Sequence, residues 1–425
     1  MADVPRLRAD AAAIRAAAIA AVAPEPLVAR RLGVTGGRLA VEGAAFVDLD
    51  AVERIVVVGA GKAAAGLAAG VIGVLGPQRL ARHRVTGLVS VPAGCVLDAG
   101  PVDVRATRPA GMNLPTPDVV AATREIVGLL AALGPRDLAI AVVTGGGSAL
   151  LEAPREGVTL ADVIAGTARL AAAGADIAAL NAARRAWSAV KGGGLARACG
   201  AGRLLVLVLS DVIGDDLDVI ASGPCMPGVP THPPGVWTTP RGCRVEHVLL
   251  ATNATAVEAA AGAARDLGYR VTARHAASGS DTQSAAEEIG RRLATEALAA
   301  AGSGPLAIIE GGEATVVVPP DHGVGGRNQQ TVLAAIDAVR GSGVAWPAGV
   351  LLASIGTDGE DGPTDAAGAV ADAEVVAAIT VAGSDVPRAL ARCAAYPLLA
   401  AAGGLVITGP TGTNVADVRL VLVSQ

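Results

Sequence analysis

VVVGAGKAAAGLA, residues Val56 to Ala68, carries the reading of the fold. A β-branched run stops at two glycines and passes directly into alanine-rich sequence, the order of a buried strand, a tight turn and a helix start. Bare amides at a helix start attract anions, and Lys62 adds a full positive charge there. Gly59, Gly61 and Ala64 also fit the GxGxxA form of a dinucleotide fingerprint, which requires an acidic residue at the end of the second strand. The candidate second strand, Val85 to Ser90, runs into VPAGC, where neither Asp nor Glu stands. A phosphate-binding turn therefore reads better than a nicotinamide site, and an NAD(P)-dependent oxidoreductase is the rival.

Outward from this turn the same alternation repeats. Apolar runs at Arg54 to Val58, Leu138 to Val143, Leu204 to Leu209, Leu306 to Ile309, Val350 to Ala353 and Leu405 to Thr408 suit buried strands. Alanine-rich stretches between them, such as Val119 to Leu133 and Ala254 to Leu267, suit helices. This predicts an α/β chain with a mainly parallel, Rossmann-like sheet wrapped by helices. At 425 residues the chain exceeds what one hydrophobic core supports, so two domains are expected. Prolines and glycines crowd between Cys225 and Cys243, which places a first domain at 1–230, a linker at 231–243 and a second α/β domain at 244–425.

Composition narrows the function. Apolar residues make up 52% of the chain, but much of that is alanine, and no long run of strongly apolar residues suggests a membrane span. Arg15 and Asp10 interrupt the apolar N-terminal stretch, so a cytoplasmic protein is expected. Five scattered cysteines with no CxxC pair read as reduced buried thiols. A net charge of -5 without a basic patch, and few aromatic side chains, argue against a nucleic-acid partner. No GxSxG is present for a serine hydrolase, and only His322 among the five histidines lies in a glycine-rich loop. Of 34 basic residues only Lys62 and Lys191 are lysine. Lysine offers a compact, mobile ammonium that enters a tight loop beside phosphate oxygens more readily than a guanidinium does.

The remaining loops extend the pattern. VTGGGSALLEAP (Val143 to Pro154) follows a strand, and Gly145, Gly146 and Gly147 would let the backbone approach an oxyanion while Ser148 donates to it. The spacing is not that of a Walker A loop. In NAARRAWSAVKGGGLA (Asn181 to Ala196), Arg184, Ser188 and Lys191 share a face if the helix continues that far; otherwise Lys191 serves a helix C-terminus before Gly192. SDVIGDDLDVIASGP (Ser210 to Pro224) delivers Asp211 at a strand tip, suited to Mg²⁺ or to a substrate hydroxyl, with Asp215, Asp216 and Asp218 as solvated loop charges. EGGEATVVV (310–318), GVGGRNQQ (323–330), GTDGEDGPTDAAG (356–368) and TGPTGTNVAD (408–417) complete a set expected to hold a polar ligand from both domains.

In content and order these motifs resemble the type II glycerate 2-kinases, the family with a MOFRL domain formerly labelled hydroxypyruvate reductases. The resemblance runs nearly end to end, from LRADAAAIRAAA through GAGKA, TGGGSALLEAP, SDVIGDD, IASGP, GGE, GGRNQ and TDGEDGPTDAAGA to TGPTGTNVAD. It implies an N-terminal glycerate-kinase-like domain, a C-terminal MOFRL-type domain, ATP, Mg²⁺ and phosphorylation of the 2-hydroxyl of D-glycerate. It further implies Lys62 and Arg327 as catalytic cations with Asp211 beside the hydroxyl or the metal. Asp358 would support the metal. Gly59, Gly61, Gly145 to Gly147, Ser148, Lys191, Glu313, Asn328 and Asn414 would face the nucleotide. A homodimer is left open.

Departures accompany the matches. LPTPD puts Leu114 where the family has histidine, Ala186 also replaces a histidine, and Gly228 replaces an aspartate. GGRNQE has become GGRNQQ at Gln330, CAAY begins at Cys393, and a Gly-Glu-Ala element is missing between residues 278 and 286. The expectation is an altered acceptor on a retained phosphate frame, with a repurposed nucleotide-binding homologue as the alternative.

Overall fold

The structure is a computed structural model that describes residues 4–174, 177–229, 231–277 and 281–424. Pro230, at the expected domain edge, and Ser278 to Ser280, where the Gly-Glu-Ala element is missing, lie outside the described residues. Among the described residues sixteen strands form three sheets. The first is a small antiparallel one of β1 (Leu32–Thr35), β2 (Arg38–Val41) and β3 (Val47–Asp48). The second is built from β4 (Ile55–Ala60), β5 (Thr86–Pro92), β6 (Val102–Arg108), β7 (Leu138–Thr144), β8 (Arg203–Leu209), β9 (Val236–Thr238) and β10 (Arg244–Ala251). The third holds β11 (Arg270–Arg274), β12 (Leu306–Gly312), β13 (Val350–Gly356), β14 (Gly368–Ala371), β15 (Leu405–Val406) and β16 (Asp417–Val423).

In the seven-stranded sheet the order is β6-β5-β4-β7-β8-β10-β9, parallel throughout except for β9. The chain runs outward from β4 to β6, then returns to lay β7 on the other side of β4. Strand order therefore reverses between β4 and β7, and open α/β sheets bind their ligands outside the carboxyl ends of the strands at such a switch point. β4, β7 and nearly all of β8 are buried along their length, as helices on both faces require. Leu88, Ile126, Leu130 and Leu204 form part of the core on one face, each contributing about 1.5–3 kcal/mol on burial. On the other face lies the helix Ala64–Arg82. It is the one helix among the described residues long and apolar enough by itself to cross a membrane, yet its first turns are packed inside this domain and Gly76 breaks it.

The third sheet departs from the parallel expectation. Its order is β11-β12-β16-β13-β14-β15, and only β11 and β12 pair in parallel. The C-terminal strand β16 inserts antiparallel between β12 and β13, a long-range pairing that local periodicity does not encode. Helices 286–300 and 327–341 pack together beside it. Gly290 allows that approach, since a Cβ there would lie 2.2 Å from the Thr331 carbonyl oxygen.

The domain boundaries differ from those expected at 1–230, 231–243 and 244–425. One compact unit comprises Ala23–Ala251, and the other combines Met1–Val22 with Thr252–Gln425. The Pro/Gly segment is no linker. Within it Val236–Thr238 pairs with β10, and the Trp237 indole donates to the Cys225 carbonyl at 2.9 Å. The N-terminal helix, Val4–Ala21, buries Leu7, Ile14 and Ala18 in the second unit. Its Arg8 pairs with Asp372 at 2.6 Å and its Asp10 accepts from the Tyr269 hydroxyl at 2.6 Å. Partners this far along the chain leave no local signal.

Candidate active site

At the switch point of the first domain, Gly59 and Gly61 are there for the neighbouring strand. A Cβ on Gly59 would lie 2.0 Å from the Val142 carbonyl oxygen, and one on Gly61 2.0 Å from the Thr144 hydroxyl oxygen. The amides of this turn are also taken. Gly61 donates to the Ser90 carbonyl (3.2 Å), Lys62 to the Gly145 carbonyl (2.9 Å) and Ala63 to the Thr144 hydroxyl (3.1 Å). The amides of Gly61 to Ala63 are thus used internally, which corrects the anion-binding role given to Gly59 and Gly61, whereas those of Ala65 and Gly66 in the first turn of the helix donate to no protein acceptor among the described residues. What the turn presents is the half-buried side chain of Lys62.

The adjoining loop behaves differently. Among the described residues the amides of Gly146, Gly147 and Ser148 donate to no protein acceptor, and Gly146 adopts φ 76°, which glycine takes without strain. Two cations flank it. From the point where a Cβ on Gly146 would sit, a guanidinium nitrogen of Arg108 is 3.5 Å away and the Lys62 Cγ 3.7 Å. Arg108, 5% exposed, also donates to the carbonyls of Pro109 and Met112, shaping the loop that leads to Leu114. Sequence reasoning missed Arg108 because it belongs to no glycine motif.

Ser148 is held from behind. Its hydroxyl lies 3.0 Å from that of Ser222, which donates to the Asn181 side-chain oxygen at 3.0 Å. Ala221 and Ser222 have φ of 51° and 62°, uncommon for residues with a side chain, and strain of this kind gathers at functional sites. Asp211 follows the end of β8, half-buried, within a turn that the Ser210 hydroxyl closes on Val212. Asp215 and Asp218 are less solvated than expected; burial raises both above the usual carboxylate range.

Lys191 requires a correction. The helix ends at Trp187, so Arg184, Ser188 and Lys191 do not share a helical face. The Lys191 ammonium is 2% exposed and paired with Glu152, itself 1% exposed, so it does not reach a nucleotide. Burial lowers its pKa, opposed by the Glu152 charge.

In the second domain the glycine loops converge on Arg327, at the first position of the helix Arg327–Gly341. Its Nε and Nη2 both reach Asp417, each at 2.8 Å, and Glu313 stands 3.6 Å away. Burial and the Arg327 charge act oppositely on Asp417, and its pKa ends below the usual value. Asp361 accepts from the amides of Asn328 (3.0 Å) and Gln329 (2.9 Å), so this helix start is closed by the protein. Burial pushes Asp361 up to about 6. Asn328 is fully buried, donating to Asp361 (3.3 Å) and Asp417 (3.0 Å); it braces the loop and does not face a nucleotide as expected. Asp358 accepts from the Glu360 amide at 3.1 Å and Asn414 from the Ala416 amide at 3.2 Å. Asp361 and Asp417 lay inside quoted motifs, but nothing local marked Asp417 as the partner of Arg327 or Asp361 as the cap of its helix. No cluster of three or more His, Cys, Asp or Glu side chains arranged for a metal ion occurs among the described residues.

The departures separate into two kinds. Gln330 is buried and donates to the Leu390 carbonyl at 2.8 Å, so that change belongs to the interior. Leu114 is 41% exposed, Ala186 is exposed, and a Cβ on Gly228 would meet nothing within 4 Å.

The first domain is a doubly wound one with a lysine and an open glycine cradle at its switch point, where open α/β sheets bind their ligands, and the second is a mixed-sheet domain with Arg327 at a helix start. Residues 10–239 match a family described as a domain of unknown function (DUF4147), and residues 306–417 match the MOFRL family. D-glycerate 2-kinase of Thermotoga maritima is 35% identical over 396 residues, covering 87% of this chain and 91% of that protein. Human glycerate kinase is 33% identical over 486 residues, covering 95% and 90%. The crystal structure of Thermotoga maritima glycerate kinase aligns with a TM-score of 0.77 at 32% identity over 99% of this chain and all of that one. The chain belongs to the type II glycerate 2-kinase family, and it is a kinase.

Proposed function

We propose that the protein transfers the γ-phosphoryl group of ATP to the 2-hydroxyl of D-glycerate or a closely related small hydroxy acid, D-glycerate giving 2-phosphoglycerate. The observation that carries this reading is the Gly146 to Ser148 loop, its amides open and Lys62 and Arg108 beside it at the switch point. Phosphoryl transfer asks little covalent chemistry of a protein; it requires positioning and neutralisation of charge on the migrating group. Lys62 and Arg327 supply that charge. Asp211 accepts the proton as the hydroxyl oxygen bonds to phosphorus and the bond to ADP breaks.

Mg²⁺ fits this donor set in one way. Among the described residues no carboxylate cluster is preassembled, so the residues that would hold Mg²⁺ are few and would share it with the substrate's phosphate oxygens, the usual manner for this ion. Asp211 would hold it, with Asp358 the second carboxylate proposed, and it would neutralise phosphate charge. The internal use of the Gly61, Lys62 and Ala63 amides weighs against a nicotinamide cofactor on the GxGxxA turn.

Incubation with radiolabelled ATP, Mg²⁺ and a panel of D-glycerate, glycolate, lactate and tartronate tests the proposal. Labelled 2-phosphoglycerate is the expected product. Absence of transfer to every acceptor would overturn the proposed reaction.

A further inference from the structure

Behind Arg327 runs a chain of alternating charges. Asp417, 0% exposed, takes two hydrogen bonds from Arg327 and one from Asn328. On its far side Arg419, also 0% exposed, lies 4.0 Å from Asp417 and 2.9 Å from Glu310. Glu310 in turn is 2.7 Å from Arg292. A two-point grip through Nε and Nη2 fixes the plane of a guanidinium, where a single contact would leave it free to turn. Nη1 of Arg327 makes no hydrogen bond among the described residues, and the side chain is 30% exposed.

We propose that Asp417 is the positioning residue for Arg327. Its carboxylate holds Nε and Nη2 so that Nη1 faces outward toward an anionic ligand. Arg419, 4.0 Å behind Asp417 and 2.9 Å from Glu310, continues the alternation and helps keep the buried Asp417 carboxylate charged.

This inference rests on the reading of Arg327 as a catalytic cation, and the experiment separates the two. Arg327→Ala, Asp417→Asn, Asp417→Glu and the Arg327→Ala/Asp417→Asn double variant are compared for kcat, KM and melting temperature. Arg327→Ala is expected to lower kcat about 10²-fold. Asp417→Glu keeps the buried charge and the fold but displaces the guanidinium, and is expected to lower kcat about tenfold with KM little changed. Added guanidinium ion should restore part of the Arg327→Ala activity and none in the double variant, a readout that a merely structural carboxylate would not move. If Asp417→Asn does not fold, Asp417→Glu and the rescue of Arg327→Ala in an Asp417→Glu background decide the matter. A wild-type kcat in Asp417→Glu, or equal rescue with and without the native Asp417, would overturn the positioning role. A wild-type kcat in Arg327→Ala would instead remove the catalytic reading of Arg327.

Discussion

Lys62 and Lys191 are the only lysines in a chain of arginines, and they occupy opposite environments. Lys62 sits half-buried at the carboxyl end of β4, on a turn whose backbone is hydrogen-bonded to β5 and β7. Lys191 is sealed in the interior against Glu152. Both stand next to glycines, yet the glycines serve different ends. Around Lys62 they admit the neighbouring strand; after Lys191, a Cβ on Gly193 would collide with the Met226 carbonyl oxygen at 2.2 Å. A rare residue type beside glycine therefore marks tight packing, and only its position relative to the switch point tells a ligand-facing ammonium from a structural one.

The comparison breaks most visibly at the buried pair. Lys191→Met leaves Glu152 as an unpaired interior carboxylate, one of whose oxygens, Oε1, already has no hydrogen-bond partner among the described residues. The expected loss is about 3–5 kcal/mol of stability, read by chemical denaturation, with turnover per folded molecule unchanged. Lys62→Ala should do the reverse, lowering kcat by about 10²–10³-fold with the denaturation midpoint unchanged. If Lys191→Met instead lost turnover at full stability, or Lys62→Ala lost stability at full turnover, the assignment of the two lysines would be inverted.

Much of the first domain was legible because its strands are covered on both faces and so read as unbroken apolar runs. β4, β7 and β8 stand out in this way, and the glycine loops at their carboxyl ends stand out with them. Asp361 and Asp417 were not legible in their roles, because what defines them is contact with the start of the helix 327–341, far away in the chain. The taken amides of Gly61 to Ala63 were hidden for the same reason. A glycine turn before a helix looks alike in sequence whether a phosphate or a neighbouring strand satisfies it. Helix Val4–Ala21 shows the limit most plainly, since its apolar face is obvious but the unit that covers it begins at Thr252.

The smallest effect is the most discriminating. If Lys191 and Glu152 matter only to each other, Lys191→Met combined with Glu152→Leu should lie within about 1 kcal/mol of the wild type, because a buried ion pair replaced by apolar groups of similar volume loses both the attraction and the desolvation cost. Arg184 makes the test sharper. Its own pKa is lowered by burial and raised in part by the Glu152 charge, so it feels the loss of that carboxylate. Partial exposure lets the guanidinium turn toward solvent, which keeps the cost of losing Glu152 small. Recovery of stability in the double variant together with unchanged turnover would fix Lys191 as structural. A double variant that is stable but slow would show that the Glu152 pair reaches the Ser148 loop through Arg184, whose Nη1 donates to the Asn181 side-chain oxygen at 3.5 Å, and through Ser222, and the contrast between the two lysines would then be one of distance from the ligand and not of role.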